Sequence, residues 1–488
     1  MPAPRRTTVI GSGPNGLAAA VALARAGFAV TVLEAHSTPG GSTRTAELTL
    51  PGFAHDVGSA VHPAATTSAF FRAFGLQSRI EWIRPEISYA HPLPGGDAAI
   101  AWRDLDRTIA GLGAGGAAWR RVLRPLVRHL DELVATVSDS LLRPPPHPVL
   151  ATRFAARGAQ LGSAAFQPTL RTEKAAALLS GVFAHANVPL PSLPAAAAGL
   201  FLAAHGHSGD GWAYPRGGAG AIAGALIADL VAHGGEVRTG VPVTSLEHLA
   251  PGADDVLILD TAPDLLLTLP GLPGRYAGAV RRYRRGAAVA KVDFALSGPV
   301  GWLNSEVARA PTVHLGGSYR QIAAAEREVA AGAEARHPYV IVVQPSVLDA
   351  SRAPADNQTL WAYIHVPLHS ATDPAERVIT QIERVAPGFR GRILASVATP
   401  ASARALFNPA DVGGDVLGGM LNVRQALARP VLAQAPWRTG APGVYLASAA
   451  TPPGPGVTGM PGWRAAQCAI SDTLGYPVHL RDLFQENR

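Results

Sequence analysis

A glycine-rich turn between two apolar segments opens the chain, and this feature restricts the fold more than any other. Residues 7–34 read TTVIGSGPNGLAAAVALARAGFAVTVLE. TTVI and FAVTVLE are β-rich runs, while LAAAVALARA has the alanine-rich composition of a helix that ends at Gly27. This order predicts a βαβ unit, which requires a parallel sheet with the helix packed against it.

The turn matches the pattern G-x-G-x-x-G, in which each glycine has a physical task. Gly11 allows the tight turn, Gly13 lets the backbone approach a pyrophosphate, and Gly16 lets helix and strand pack closely. The helix N-terminus then offers N–H groups and a positive dipole end to the phosphates. Glu34 follows Gly11 by 23 positions, where an acid accepts hydrogen bonds from ribose hydroxyls and argues against a 2′-phosphate. The residues predicted to form this dinucleotide site are Gly11, Gly13, Pro14, Asn15, Gly16, Glu34 and Ala35.

The composition excludes several other classes of protein. With 488 residues, 48% hydrophobic and 16% charged, the chain is typical of a globular protein with about two or three domains. The net charge is +7, but the arginines are scattered except in RRYRR at 281–285, so we predict no nucleic-acid partner. The single cysteine, Cys468, excludes a disulfide framework, a CxxC redox pair and a cysteine-based zinc site, and no metal site is predicted.

No segment of the sequence has the length and apolarity of a membrane-spanning helix, which needs about 18 apolar residues. The nearest approach is LPAAAAGLFLAAHGH at 193–207, which is too short. The N-terminal MPAPRR has a twin arginine but no apolar run typical of a signal peptide. We therefore expect a cytoplasmic protein, with peripheral contact to a membrane surface left open and the oligomeric state not fixed.

The residues after Glu34 resemble a flavoprotein signature. In AHSTPGGSTRT, residues 35–45, a glycine pair follows Glu34 after a gap of five residues. This pattern resembles that of the FAD-dependent amine oxidase and phytoene desaturase superfamily, which implies FAD as the cofactor. In many relatives an arginine follows the glycine pair at once, whereas this chain has Ser42 there and Arg44 two positions later. The resemblance implies cofactor contacts for Gly40, Gly41, Ser42, Thr43 and Arg44.

Later segments extend the resemblance over the whole chain. FAHDVGSAVHP at 53–63 resembles the family segment along the flavin, which implies contacts of Gly58 and Ser59. YPRGGAGAIAGAL at 214–226 resembles a phytoene desaturase segment, and Val243 matches the residue whose backbone meets the adenine.

The C-terminal segment YLASAATPPGPGVTGMPGWRAA at 445–466 resembles the closing flavin motif, a loop that leads into a helix. It implies cofactor contacts for Ser448, Gly459 and Met460, with the positive end of the helix near the flavin N1–C2=O group. Within the superfamily, the chain resembles the phytoene desaturase-like proteins grouped with pyridine nucleotide-disulfide oxidoreductase domain-containing protein 2.

The resemblance implies an α/β fold with two interleaved domains. One is a Rossmann-type, GR2-like FAD-binding domain, and the other is a mixed-sheet substrate domain with a helical cap. We predict that residues 1–75, 205–265 and 430–488 form the FAD-binding domain, and that 76–204 and 266–429 form the substrate domain.

Lys291 is unusual because only two of the 42 basic residues, Lys174 and Lys291, are lysine. In AVAKVDFAL, residues 288–296, Val292 and Phe294 share one face of a predicted strand, and Lys291 and Asp293 share the other. The residues alone favour a solvent-facing Lys291 or a pair with Asp293. The resemblance to amine oxidases, in which a strand lysine holds a water at flavin N5, implies instead that Lys291 is catalytic beside the flavin, since a compact ammonium fits where a guanidinium does not.

Three hypotheses for the function follow. The first is an FAD-dependent oxidoreductase that transfers a hydride between a small hydrophobic, unsaturated substrate and flavin N5, as a desaturase, saturase or isomerase, with dioxygen or another electron acceptor. The second is an amine oxidase that uses dioxygen, with a Lys291-held water at N5. The third is a non-catalytic flavin-bearing interaction protein. The sequence does not place the candidate side chains His62, His185, His205, His207, His314, His365, Trp212, Tyr214, Trp361, Tyr363 and Trp463.

Overall fold

The structure is a computed structural model that describes residues 5–249, 251–252 and 255–484. Residues 1–4, 250, 253–254 and 485–488 of the predicted FAD-binding domain lie outside the described residues. The strands are β1 (Arg6–Ile10), β2 (Ala29–Leu33), β3 (Thr45–Glu47), β4 (Ala54–Asp56), β5 (Trp82–Ile83), β6 (Ile87–Pro92), β7 (Ala98–Trp102), β8 (Tyr214–Pro215), β9 (Glu236–Arg238), β10 (Val256–Leu259), β11 (Ala288–Leu296), β12 (Thr312–Leu315), β13 (Val340–Val343), β14 (Gln358–Val366), β15 (Ile393–Thr399) and β16 (Val444–Leu446).

The helices connect and cover these strands. They are α1 (Pro14–Arg25), α2 (Pro63–Thr67), α3 (Ala69–Phe74), α4 (Leu76–Arg79), α5 (Leu105–Gly111), α6 (Gly116–Arg128), α7 (Leu130–Val137), α8 (Pro148–Leu161), α9 (Phe166–Leu170), α10 (Glu173–Phe183), α11 (Leu193–Gly206), α12 (Gly220–Ala232), α13 (Gly274–Arg281), α14 (Tyr319–Ala330), α15 (Ala375–Glu383), α16 (Arg404–Phe407), α17 (Val423–Leu427), α18 (Met460–Leu474) and α19 (Leu480–Phe484).

A five-stranded parallel sheet has the order β16-β10-β1-β2-β9. The predicted βαβ unit is confirmed as β1, α1 and β2, and Leu17, Val21 and Leu23 of α1 are fully buried against the sheet. The strands of this sheet come from the start, the middle and the end of the chain, as in the predicted interleaved arrangement. The exact domain boundaries stay a prediction.

A seven-stranded mixed sheet has the order β15-β11-β14-β13-β12-β6-β7. Its pairs are antiparallel except for β12 with β6. Helices α5 to α11 pack on one face of it in a single apolar cluster that includes Trp119, Phe183 and Leu200. A second cluster, which includes Val292, Phe294 and Leu296 of β11, fills the opposite face. The mixed sheet and helical cap expected from the resemblance are therefore present.

Two helix N-termini meet beside the parallel sheet, and this junction positions the site. Helices α1 and α18 pack together so closely that a Cβ on Gly462 would lie 1.9 Å from the Asn15 carbonyl oxygen. Only glycine at this point lets α18 start next to the turn after β1. Pro461 lies in the first turn of α18, as expected. Among the described residues, no helix has both the length and the apolar character to cross a membrane.

Candidate active site

The turn between β1 and α1 is built around glycine backbones. Gly11 has a φ of +93°, and its N–H donates to the Leu33 carbonyl at 2.9 Å. A Cβ on Gly16 would lie 2.1 Å from the Gly11 carbonyl oxygen. Pro14 occupies the first turn of α1, and Asn15 is buried with its Oδ1 unpaired within the described structure. The glycines therefore give the turn the close backbone packing that the motif requires for a phosphate at the start of α1.

Asp260 lies directly beneath this turn and was not found by the sequence analysis. Its Oδ2 accepts a hydrogen bond from the Gly16 N–H at 2.8 Å, and a Cβ on Gly13 would meet the same oxygen at 2.5 Å. Burial raises the pKa of Asp260 to about 7, with the nearby Glu34 adding to the rise and the Gly16 N–H opposing it. Asp260 follows β10 and lies 244 positions after Gly16 in the sequence. A contact over this separation leaves no motif that a reading of neighbouring residues could detect.

Glu34 is buried at the end of β2, where the motif expects the ribose-binding acid. One of its oxygens accepts from the Ser12 N–H at 3.0 Å and from the Ser12 hydroxyl, and the other accepts from the His36 N–H at 2.8 Å. The Ser12 hydroxyl also accepts from the Gly40 N–H at 3.0 Å. Glu34 therefore joins the first glycine turn to the glycine pair, and the adjacent Ala35 is half-buried.

The glycine pair brings a second loop against the first. Gly40 and Gly41 have φ values of +124° and +53°, and a Cβ on Gly41 would lie 2.8 Å from the Cα of Gly13. The Thr43 hydroxyl donates to the Gly40 carbonyl at 2.7 Å. Arg44 donates to the Gly41 carbonyl at 3.0 Å and to the Phe407 carbonyl, so its guanidinium is engaged with backbone oxygens.

Ser42, Gly58 and Ser59 form one wall of a cavity whose other walls include strands of the seven-stranded sheet and helices of the cap. The Ser59 N–H donates to the Ser42 carbonyl at 2.8 Å, and a Cβ on Gly58 would lie 2.6 Å from Ser42 atoms. The cavity has a volume of about 230 Å³. Its lining includes, besides these three residues, Lys291, Arg404, His185, Trp212, Thr312, Trp361 and Tyr363.

The C-terminal motif follows the parallel sheet and lies against α1. Gly459 precedes α18 with a φ of +66°, and a Cβ there would lie 2.7 Å from the Phe70 ring. Met460 begins the helix and is buried. Ser448 follows β16, is buried, and accepts from the Ala450 N–H at 3.3 Å. Val243 lies further along the chain from β9 and is half-buried against the apolar cluster around Leu246.

Lys291 is buried, with 3% of its surface exposed, in the middle of β11. Its Nζ donates to the Asp56 carbonyl at 2.7 Å, to the Val57 carbonyl at 3.3 Å and to Asp293 Oδ2 at 2.8 Å. The expectation of a solvent-facing strand face is therefore wrong, whereas the pair with Asp293 is present. Since an ammonium has three N–H groups, a water held by Lys291 would need one of these bonds to open.

Burial is the main cause of the altered pKa values in this pair. It lowers the pKa of Lys291, with Asp293 opposing the change, and it raises the pKa of Asp293, with Lys291 opposing the change. On the other side of Asp293, the His55 Nδ1 lies 3.5 Å from Oδ1. Burial and the nearby Lys291 lower the pKa of His55 to about 3, so its ring is neutral.

The charges that line the cavity are all cationic within the described structure. Lys291 is paired with Asp293, and Arg404 is paired with Asp411 at 2.9 Å. Neither Asp nor Glu contributes to the lining. Arg404 starts α16 in a segment without a recognisable motif, so the sequence analysis did not find it.

Aromatic rings and His185, which pairs with His314, also line the cavity. The Nε2 atoms of His185 and His314 lie 2.9 Å apart. The Trp212 ring packs on both histidines at centroid distances of 5.4 and 5.7 Å, and Trp361 contacts Tyr363 at 5.3 Å. The candidates His62, His205, His207, His365, Tyr214 and Trp463 do not line this cavity.

The described residues fit a dinucleotide with an attached ring system. The glycine turns pack so closely that Cβ atoms would overlap neighbouring protein atoms, Glu34 is placed for a ribose, and Asn15 Oδ1 is buried at the helix start without a partner among the described residues. The cavity begins at the Ser42–Gly58–Ser59 wall, next to the glycine pair. Each predicted contact residue therefore has a defined place, and their contacts with a cofactor stay a prediction.

Comparisons with known proteins agree with this arrangement. The family model described as flavin-containing amine oxidoreductase matches residues 15–469. Pyridine nucleotide-disulfide oxidoreductase domain-containing protein 2 of Rattus norvegicus is 23% identical over 548 aligned positions, which cover 95% of this chain and 93% of that protein. An oxidoreductase from Methanosarcina mazei has a TM-score of 0.58 at 15% identity, covering 96% of this chain and 100% of that one. Putrescine oxidase with bound putrescine has a TM-score of 0.57 at 17% identity, covering 96% and 99%.

Proposed function

Because the chain belongs to the flavin-containing amine oxidoreductase family, we propose that it transfers a hydride between FAD and a small neutral, hydrophobic, unsaturated molecule. The protein is an FAD-dependent oxidoreductase, so a purely non-catalytic role is set aside. When bound, FAD supplies a hydride acceptor at flavin N5. The residues of this chain bind it, orient it and exclude water.

The charge of the cavity lining is the observation that carries the proposal. Within the described structure, Lys291 and Arg404 line the cavity and no carboxylate does. A protonated amine would find no acidic partner on this lining, because Asp293 and Asp411 are already paired with Lys291 and Arg404, and burying an unpaired charge is costly. Leu202, Ile341, Val343 and the aromatic rings supply apolar surface instead, as expected of a pocket for a hydrophobic ligand.

Lys291 contributes to the site mainly by holding one wall of the cavity in place. Its bonds to the Asp56 and Val57 carbonyls hold the segment that leads to Gly58 and Ser59 against the cavity. A compact ammonium can donate to three converging oxygens, whereas a planar guanidinium cannot fit the same arrangement. We assign Lys291 the task of fixing this wall and of keeping positive charge next to the flavin, where negative charge develops on reduction.

Amine oxidation with dioxygen is the second candidate. Trp361 and Tyr363 favour it, because adjacent aromatic faces can bind a cation, and the Lys291 ammonium already lies 5.5 Å from the Trp361 ring centroid. In this alternative, a water would replace one of the acceptors of Lys291. The same aromatic faces also pack against neutral unsaturated carbon.

Anaerobic reduction of the FAD-loaded enzyme separates the two candidates. Apolar polyenes and cyclic alkenes are supplied in parallel with primary amines of similar size, and loss of the oxidised flavin absorbance is followed. We expect reduction by the neutral compounds and none by the amines. Reduction by amines alone would replace the first proposal with the second, and reduction by neither class would contradict both.

A further inference from the structure

His185, which lines the cavity, and His314 behind it form a histidine pair with features that a structural role does not explain. His314 is fully buried, and its Nδ1 has no partner within the described structure. A Cβ on Gly181 would lie 2.8 Å from that nitrogen, so the ring is held tightly against α10. His185 is half-buried, and its exposed surface faces the cavity that it lines.

The hydrogen-bond pattern allows the protons of the pair to be assigned. A proton on His314 Nδ1 would be a buried N–H without an acceptor, which folded proteins avoid more strongly than an unpaired acceptor. We therefore place the proton of His314 on Nε2, where it is donated to His185 Nε2 across 2.9 Å. The proton of His185 is then on Nδ1, which has no partner in the described structure.

Both rings are neutral. Burial lowers the pKa of His185 to about 3, with the nearby His365 adding to the effect, and burial also lowers the pKa of His314 well below its ordinary value. The Tyr363 hydroxyl is a second neutral group on the lining that has no hydrogen-bond partner in the described structure, and burial raises its pKa. His185 and Tyr363 thus add neutral hydrogen-bond donors to a lining whose two cations, Lys291 and Arg404, are already paired with carboxylates.

We propose that His185, supported by His314 and accompanied by Tyr363, binds a neutral oxygen acceptor of the substrate, so that the substrate is a ring-sized unsaturated molecule with a carbonyl group. This inference rests on the proposed function, because it treats the cavity as the substrate site. A carbonyl oxygen satisfies an N–H donor that otherwise has no partner in an apolar site. An ammonium group has only donors and would leave the His185 N–H unsatisfied.

Two probes of nearly equal shape isolate the oxygen. Binding of cyclohexanone and of methylenecyclohexane to the FAD-loaded enzyme is measured by calorimetry, with cyclohexylamine as the cationic comparison. The measured quantity is the ratio of the affinity for cyclohexanone to the affinity for methylenecyclohexane. In His185→Phe this ratio should shift against cyclohexanone by about tenfold relative to wild type, since one hydrogen bond is lost. In Tyr363→Phe it should shift in the same direction by a smaller factor.

Tyr276→Phe is the matched control, because it removes a buried hydroxyl that donates to the Pro436 carbonyl at 3.2 Å outside the cavity. The ratio should not change there. If His185→Phe does not fold, the affinity ratio in Tyr363→Phe and the comparison of cyclohexanone with cyclohexylamine in the wild type still test whether the cavity binds a carbonyl oxygen. An unchanged ratio in the cavity variants that fold, or tighter binding of cyclohexylamine than of cyclohexanone by the wild type, would overturn the inference. Because no turnover is measured, the proposed function can fail in the reduction assay while this result stands.

Discussion

Asp260 places a buried carboxyl group where the cofactor's phosphates are expected. It contacts the Gly16 N–H at the start of α1, and its pKa is about 7. A pyrophosphate bound at this helix start would add negative charge and raise that pKa further. FAD binding therefore takes up a proton when the free protein has Asp260 ionised.

The affinity for FAD should accordingly fall as the pH rises above about 7, by up to tenfold per pH unit for one linked proton. Below that pH the carboxyl is already protonated, and the affinity should be constant. Titration of FAD into the apoprotein between pH 6 and 9, by flavin fluorescence, measures this dependence. Asp260→Asn should remove it, and a slope that persists in that variant would mean that another group takes up the proton.

Lys291 and Asp293 form a buried ion pair, and removing only one partner should destabilise the fold. Lys291→Met leaves the Asp293 carboxylate buried and unpaired, so we expect the free energy of unfolding to fall by about 3 kcal/mol. The double variant Lys291→Met/Asp293→Asn should recover most of this loss. Urea denaturation of the wild type, the single and the double variant measures both values, and equal stability of the two variants would contradict the pairing.

Helices α1 and α18 bring their first turns together at Gly462, and the site depends on that contact. Gly462→Ala would set a methyl group against the Asn15 carbonyl, where a Cβ has only 1.9 Å. We expect α18 to shift, with a loss of about 2–3 kcal/mol in stability and a weaker affinity for FAD. Thermal denaturation and FAD titration measure the two effects.

Gly224→Ala is the control, because Gly224 also lies inside a helix, α12, but a Cβ there has open space. That variant should be as stable as the wild type or up to about 1 kcal/mol more stable, since alanine favours a helix over glycine. Similar losses in both variants would show that the α1–α18 contact is not the cause of the loss in Gly462→Ala.

Local patterns predicted the elements that depend on neighbouring residues. The turn between β1 and α1, Glu34 and the start of α18 each follow from sequence within a few dozen positions. The alternation in β11 gave the correct two faces but not their burial, because the Asp56 and Val57 carbonyls that contact Lys291 lie 235 and 234 positions away in the chain. The sequence of one strand cannot show that a face of that strand is buried when the residues that cover it come from distant parts of the chain.

Side chains from distant parts of the chain determine the chemistry of the β1–α1 turn and of the cavity. Asp260 meets Gly16 across 244 positions, and His185 meets His314 across 129. Arg404 enters from a short helix without a motif. Such contacts arise when the two sheets and the cap assemble, so the sequence could name His185 and Tyr363 as candidates but could not place them together.

The molecule as a whole requires three distant segments to assemble one cofactor site: the β1–α1 turn, the glycine pair after β2, and the loop before α18. The most direct test is the binding of FAD to the purified protein, measured by absorbance and by titration of any apoprotein. We predict a yellow protein that binds one FAD per chain, with lower affinity in Gly462→Ala. A colourless protein that does not bind added FAD would contradict this account.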